Sequence, residues 1–145
     1  MIDEIARKKI VVEHSRLLSV GDLDGLMAMY AENVTFEDPV GSGRRRGRDA
    51  LREHFARSVE AGIDETTGQP VAGQDGLHAL APVVSVMDYL PKGPEFVERG
   101  WLDPPSATDE ARLTCAYVLV LRTGVGGLIE DLRAFWGRSD LTLTP

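Results

Sequence analysis

The stretch VTFEDPVGSG, residues 34–43, alternates apolar and polar side chains and then enters a turn rich in proline and glycine. Successive side chains of a β-strand point to opposite faces, so Val34, Phe36 and Asp38 share one face. If that face lies against the core, Asp38 lies there too, where an unpaired charge is costly. Two interpretations stay open: a buried acid or base with an altered pKa, or a solvated aspartate bonded to the following turn.

Length and charge predict a single domain, residues 1–145, with a small organic ligand. Of the 145 residues, 43% are hydrophobic and 27% charged, which suits one packed core. The net charge of −7 argues against nucleic acid and anionic membranes, and weakly favours an uncharged or cationic ligand over a polyanion. The N-terminal stretch lacks a secretory apolar core, and no segment reaches the roughly 20 apolar residues that span a bilayer. We therefore expect a cytoplasmic protein.

Cysteine and histidine usage predicts no metal site. Cys115 is the only cysteine, which excludes an internal disulfide and a cysteine-based zinc site. His14, His54 and His78 show no ligand spacing on a common element.

A basic run, GSGRRRGR at residues 41–48, resembles a phosphate-binding loop only superficially. It lacks the Gly-Lys-Ser/Thr ending that such loops need. We interpret Arg44–Arg46 as a solvated face, of which one arginine could pair with Glu37 or Asp49.

The order of the periodic segments predicts an α+β fold. Helical spacing predicts a first helix over residues 4–19. It predicts a second helix that Asp22 could cap and that reaches Tyr30, and a third helix that Asp49 could cap. Strand-like segments follow at 71–74, 77–90, 111–122 and 128–136, the last two as a hairpin. Pro82 predicts a bulge or a bend in its strand. Residues 91–110 are predicted to form a long irregular loop. Helices would pack on one face of a curved antiparallel sheet that encloses a pocket.

Four further polar positions are candidates for chemistry. Glu65 would share a face with Ile63 if that stretch is extended, and could pair with Asp38 so that one carboxyl holds a proton while the other is ionised. From the residues alone, a solvated loop carboxylate is the favoured alternative for Glu65. His14 lies on the apolar stripe of the first helix, where a core histidine is the alternative. Of Asp88 and Tyr89, only one can face a pocket, because they are adjacent in a strand.

The segment GDLDGLMAMYAENVTFEDPVGS, residues 21–42, resembles the N-terminal part of ketosteroid isomerases, which are cone-shaped members of the NTF2-like superfamily. The resemblance implies that Asp38 is a proton-shuttling base in an apolar pocket. It also implies an oxyanion hole made by a tyrosine and a protonated aspartate. Here His14 occupies the tyrosine position, and AYVLVLR at 116–122 contains no acid. These departures argue against steroid isomerisation.

Strings along nearly the whole chain resemble the polyether epoxide hydrolases of the monensin and lasalocid type. They are ARKK, EHSR, GDLD, EDPVG, PVAGQD, HAL, SVMDYLP, ERGWL and WGRSDL. The resemblance implies a cofactor-independent enzyme of the SnoaL-like group that opens epoxides on a linear polyketide and closes cyclic ethers. It implies Asp38 and Glu65 as the acid–base pair, without deciding which is the acid, and leaves His14 as a further donor.

Four more positions are predicted to contact the apolar polyketide substrate. Tyr30, Tyr89 and Trp101 would form an aromatic wall of the pocket. Asp103 would be a second acid if the protein were instead a pyran-forming cyclase that eliminates water. A ketosteroid-type isomerase and a non-catalytic partner of an active paralogue are the remaining alternatives. We expect a homodimer, with a paralogous protein as a possible partner.

Overall fold

The computed structural model describes residues 2–108 and 110–144, which form four α-helices, eight strands and one 3-10 turn. The helices are α1 (Glu4–Val20), α2 (Leu23–Met27), α3 (Arg48–Glu60) and α4 (Gly93–Glu98). The strands are β1 (Tyr30–Glu37), β2 (Arg45–Arg46), β3 (Asp64–Thr67), β4 (Val71–Ala72), β5 (His78–Asp88), β6 (Arg112–Thr123), β7 (Ile129–Phe135) and β8 (Leu141–Thr144). The 3-10 turn is Arg138–Asp140. The helix-first, strand-later order predicted from the sequence is confirmed.

Capping explains where the helices begin. The Asp22 carboxylate accepts a hydrogen bond from the Gly25 N–H at 2.9 Å, so the predicted cap of α2 is confirmed. This helix ends before Tyr30, which begins β1 instead. The predicted cap of α3 is wrong: no side chain caps that helix, and Asp49 lies inside its first turn. A carboxylate there still interacts favourably with the helix dipole.

The strands form one curved, open sheet on which the helices pack. Its strand order is β2-β1-β7-β6-β5-β3, with β4 beside β5 and β8 beside β6. The β6–β7 hairpin is confirmed, and every neighbouring pair is antiparallel except β1 with β7, which is parallel. A purely antiparallel sheet was predicted because the sequence gives no sign that the first strand would lie beside the last long one.

Two details of the strands differ from the prediction. The β5–β6 register runs through Pro82 without a shift, so of the predicted bulge or bend the bulge is absent from these strands. The Pro82 carbonyl accepts from the Gly68 N–H at 2.7 Å, immediately after β3 ends, so the position that lacks an N–H faces the end of a strand. The segment 91–110, predicted to be irregular, contains the short helix α4.

The inner face of the sheet is the face that carries the apolar alternation. Val34 and Phe36 on β1 are fully buried there, as are Leu113 and Leu121 on β6. Because Asp38 follows Phe36 by two residues, the end of β1 delivers its carboxylate to this same buried side.

Truncating a central residue of this core tests the packing. We expect Leu121→Ala to lower the free energy of unfolding by about 2–5 kcal/mol, because Leu121 is 0% exposed and its neighbours cannot fully close the space. Leu128→Ala is the matched control, since Leu128 is 44% exposed and should cost less than about 1 kcal/mol. Urea unfolding of both variants measures the difference, and equal losses would contradict this assignment of the core.

Candidate active site

A narrow cavity of about 50 Å³ lies between the helices and the inner face of the sheet. Asp38 and Glu65 both line it, so the structure selects the pocket-facing alternative for each. Most of the remaining wall is apolar, including Leu18, Phe55 and Met87. Two carboxyl groups therefore face one small, poorly hydrated space, in which each influences the charge of the other.

Asp38 is held as a carboxylate by donors from distant parts of the chain. The His54 Nε2 on α3 lies 2.9 Å from its Oδ2, and the Trp136 Nε1 after β7 donates to its Oδ1 at 2.8 Å. Burial by itself would raise the pKa of Asp38, but these hydrogen bonds and the charge of Lys92 outweigh it and hold the pKa at about 2. At neutral pH the group is a proton acceptor.

Lys92 is a buried cation beside this carboxylate. Its Nζ donates to the Ser58 Oγ at 3.1 Å, and within the described residues no carboxylate oxygen lies at ion-pair distance. Burial lowers the pKa of Lys92, while the Coulombic attraction of Asp38 opposes that change. The side chain lowers the pKa of both Asp38 and Glu65 through its charge.

Glu65 has the opposite protonation preference. It lies on β3 directly across from Ser85, and burial raises its pKa to about 7. The Tyr117 hydroxyl donates to its Oε2 at 2.5 Å and Ser15 donates to its Oε1 at 3.0 Å, and both bonds limit that rise. The nearby charge of Asp38 adds to the rise. The pair therefore combines an ionised carboxylate with a carboxyl that holds its proton up to neutral pH.

His14 and Tyr30 lie behind the cavity and do not line it. The His14 Nε2 is hydrogen-bonded to the Tyr30 hydroxyl, and both rings pack against Phe55, whose side chain does line the cavity. His14 is only 1% exposed, and burial lowers its pKa to about 4, so the imidazole is neutral at pH 7. The structure does not bring either residue to the cavity, which removes the geometric support for His14 as a donor and Tyr30 as a substrate contact.

The other predicted substrate contacts have mixed outcomes. Trp101 lines a second pocket described below, whereas Tyr89 lies in the core with its ring against Gly93. Asp88, its neighbour, is an exposed partner of Arg112. The Asp103 side chain is 95% exposed, so its predicted role as a second acid in the cavity is not supported.

An outer pocket of about 280 Å³ adjoins the cavity. Asp38, Lys92, Phe96 and Trp136 border both spaces, so the Asp38 carboxylate lies at the boundary between them. A long substrate could therefore place its reacting segment against Asp38 while the rest of the molecule occupies the outer pocket.

Sequence reasoning missed most of the groups that set the state of the pair. His54 lies three residues after Leu51, on the buried face of α3, and this helical spacing was the available signal. Tyr117 follows Cys115 in the inward alternation of β6, which was a second signal. Lys92 and Trp136 follow strand ends, and no pattern in the sequence relates them to Asp38.

The described part of the chain contains neither a metal-binding cluster nor a membrane-spanning helix. Among residues 2–108 and 110–144, no cluster of three or more His, Cys, Asp or Glu side chains could hold a metal ion. No helix in these ranges is both long and apolar enough to cross a membrane.

The fold and the carboxyl pair define a class: an α+β pocket protein with an acid and a base in one apolar cavity. A family profile of the SnoaL-like domain matches residues 11–131, and the chain belongs to this family. It is 42% identical over 143 residues to epoxide hydrolase LasB of Streptomyces lasalocidi. That match covers 97% of this chain but 51% of LasB, so the chain spans about half the length of this relative.

Two further relatives match over their full or nearly full length. The structure of the epoxide hydrolase/cyclase-like enzyme SalBIII, which has a role in pyran ring formation in the polyether salinomycin, superposes with a TM-score of 0.83. It is 35% identical, and the match covers 99% of this chain and 100% of that one. The steroid Delta-isomerase of Nocardioides simplex is 25% identical over 95% of both chains. Both resemblances stated from the sequence are thus found again.

Removing the buried cation tests the electrostatics of the pair. We expect Lys92→Met to raise the pKa of both Asp38 and Glu65, since the positive charge favours the ionised form of each. Carboxyl ¹³C shifts followed against pH measure both titrations. Lys9→Met, at an exposed site on α1, is the control and should leave them unchanged. Identical titrations in wild type and Lys92→Met would contradict the assignment.

Proposed function

We propose that this chain is an epoxide-opening cyclase or hydrolase that closes cyclic ether rings on a linear polyketide polyepoxide. The observation that carries the proposal is the division of the pair: Asp38 ionised and Glu65 protonated in one apolar cavity. Epoxide opening needs one group of each kind. The names of LasB and SalBIII support the same reaction class.

The proposed reaction uses both carboxyl groups in one step. An Asp38 oxygen takes the proton of an internal hydroxyl group of the substrate. The oxygen of that hydroxyl group attacks an epoxide carbon at the same time. The carbon–oxygen bond of the epoxide breaks, and the leaving oxygen takes the proton of Glu65. The new ether is neutral, and the enzyme then holds the proton on Asp38 until exchange restores it to Glu65. Each proton transfer can contribute about 10²–10⁴-fold to the rate.

The small volume of the cavity suits this chemistry. A space of about 50 Å³ holds a short segment of a chain, which favours a folded conformation with the hydroxyl close to one epoxide carbon. The apolar wall also excludes bulk water, which would otherwise compete with the internal hydroxyl as nucleophile. The geometry therefore favours ring closure over simple hydrolysis.

A pyran-forming cyclase is the second candidate, and the role of SalBIII in pyran ring formation favours it. Elimination of water followed by addition of a hydroxyl also needs one base and one acid. Because Asp103 is exposed to solvent, Glu65 would be the acid in this reaction too.

We also propose that two copies of the chain form a homodimer. The outer face of the sheet carries the half-exposed apolar side chains Val84 and Phe135, which a second copy could cover. Light scattering on the purified protein decides the oligomeric state, and adding a paralogous protein to the assay tests the regulatory alternative.

Neutralising each carboxyl in turn tests the reaction. We expect Asp38→Asn and Glu65→Gln each to lower the rate of cyclic ether formation from a synthetic epoxy alcohol by about 10²–10⁴-fold, because each removes one proton transfer. Chromatography of the products measures the rate. Asp88→Asn, on the exposed surface, is the control for loss of a carboxylate.

The same samples distinguish the alternatives. Ring formation that survives in both variants would contradict the proposed pair. A conjugated ketone formed from a β,γ-unsaturated ketone, with no ether product, would return the protein to the isomerase class. Ring closure of a β-hydroxy unsaturated substrate alone would favour the pyran-forming reaction.

The pH dependence tests which carboxyl is the acid. Since Glu65 must hold a proton, kcat/KM should be level in mild acid and fall as the pH rises through about 7. Ser15→Ala removes a hydrogen bond that favours the ionised form, so the pKa of Glu65 rises and the falling limb moves to higher pH. Ser106→Ala, in an exposed loop, should leave the limb in place. A limb that moves to lower pH in Ser15→Ala would contradict the assignment.

A further inference from the structure

The arginine run predicted to be a solvated face borders the outer pocket. Arg44 and Arg45 line that pocket, which Asp38 also borders. Arg46 is exposed and does not line it. Arg45 and Arg46 are adjacent in β2, so their side chains point to opposite faces. The predicted pairing of one of these arginines with Glu37 or Asp49 is absent from the ion pairs of the described residues.

The charges that face the outer pocket are unbalanced. Five cationic side chains and three carboxylates line it, in a chain whose net charge is −7; they are Arg44, Arg45, Arg57, Lys92 and Arg99 against Asp38, Glu53 and Glu95. Glu95 is already paired with Arg57 at 2.8 Å and with Arg99 at 3.3 Å. Asp38 is bonded to His54 and Trp136. Arg44 and Arg45 therefore supply positive charge that the described carboxylates do not neutralise at ion-pair distance.

The orientation of Arg45 favours an anionic ligand. Its guanidinium lies over the Phe36 ring, 5.0 Å from the ring centre. A guanidinium stacked on an aromatic face keeps its N–H edges available, and those edges match the two oxygens of a carboxylate.

Three aromatic side chains form another part of the pocket wall. Phe96, Trp101 and Trp136 contact one another with ring centres 5.4–5.9 Å apart, and all three line the pocket. Phe96 and Trp136 continue into the inner cavity beside Asp38. A ligand that fits this arrangement has an anionic end and an apolar chain.

We propose that the outer pocket is a binding subsite for an amphipathic organic carboxylate, whose carboxylate Arg44 and Arg45 bind while its apolar chain runs along the aromatic wall towards Asp38. The identity of the ligand rests on the function proposed above: it is the carboxylate end of the linear substrate. The arginines then fix which part of the chain reaches the carboxyl pair, and so select among its epoxides.

Tryptophan fluorescence gives a direct binding readout that needs no turnover. The chain contains two tryptophans, and both Trp101 and Trp136 line this pocket. We expect decanoate to change their emission with higher affinity than decan-1-ol, which has the same chain without the charge. Added salt should weaken the binding of decanoate only, because charge attraction at an exposed rim is screened.

Two variants separate the subsite from a general effect of surface charge. Arg44→Gln combined with Arg45→Gln should weaken decanoate binding by roughly tenfold or more, as expected for the loss of charged hydrogen bonds, and leave decan-1-ol binding unchanged. Arg46→Gln is the matched control from the same run and should bind decanoate like the wild type. All three positions are exposed, so circular dichroism should show an unchanged fold.

Two results would overturn the subsite. One is equal affinity for decanoate and decan-1-ol, and the other is equal weakening by Arg46→Gln and the double variant. A kinetic experiment then compares two substrates: an epoxy alcohol that carries a carboxylate, and the methyl ester of the same compound. The double variant should raise KM for the acid and leave KM for the methyl ester unchanged.

The binding and kinetic arms distinguish failure of the subsite from failure of the proposed function. If decanoate binds through Arg44 and Arg45 but no ring forms, the subsite stands and the epoxide chemistry is wrong. If rings form in an Asp38-dependent way but the double variant binds decanoate normally, the chemistry stands and the subsite is wrong.

Discussion

The cost of placing the Asp38 carboxylate in a poorly hydrated space constrains the rest of the site. Its two oxygens receive hydrogen bonds from His54 and Trp136, and Lys92 contributes a positive charge from a third segment. These groups come from α3, from the residue after β7 and from the turn before α4, so the helices and the sheet must close together before the carboxylate is stabilised. Losing any one of them would leave a buried charge partly uncompensated.

Environment, rather than residue type, divides the work between the two carboxyl groups. Asp38 receives N–H donors and the attraction of a cation, which favour the charged form. Glu65 accepts hydrogen bonds from two hydroxyl groups, but burial and the charge of Asp38 raise its pKa and so favour the neutral form. Two similar side chains therefore supply a base and an acid at the same pH, as epoxide opening requires.

The distribution of charge matters more than its sum. A net charge of −7 weakly argues against an anionic ligand, yet five cationic side chains line the outer pocket. Net charge averages over the whole surface, whereas a ligand responds to the groups that face it. The run GSGRRRGR shows this difference, because strand alternation separates Arg45 from Arg46 and gives neighbouring arginines different surroundings.

The sequence by itself determined the local features: the cap at Asp22, the β6–β7 hairpin, and the alternation that turns Asp38 towards the core. These follow from interactions between residues close in the chain, and the family resemblance selected Asp38 and Glu65 as a pair from among the candidates. Only the tertiary structure decided which groups meet Asp38, since His54 is 16 positions away and Trp136 is 98. It also separated Asp103 from the cavity and divided the protonation states of the pair. Hydrogen bonds and burial depend on which side chains the folded chain brings together. Spacing along the sequence indicates which face a residue occupies, as for His54, but not which residues it meets there.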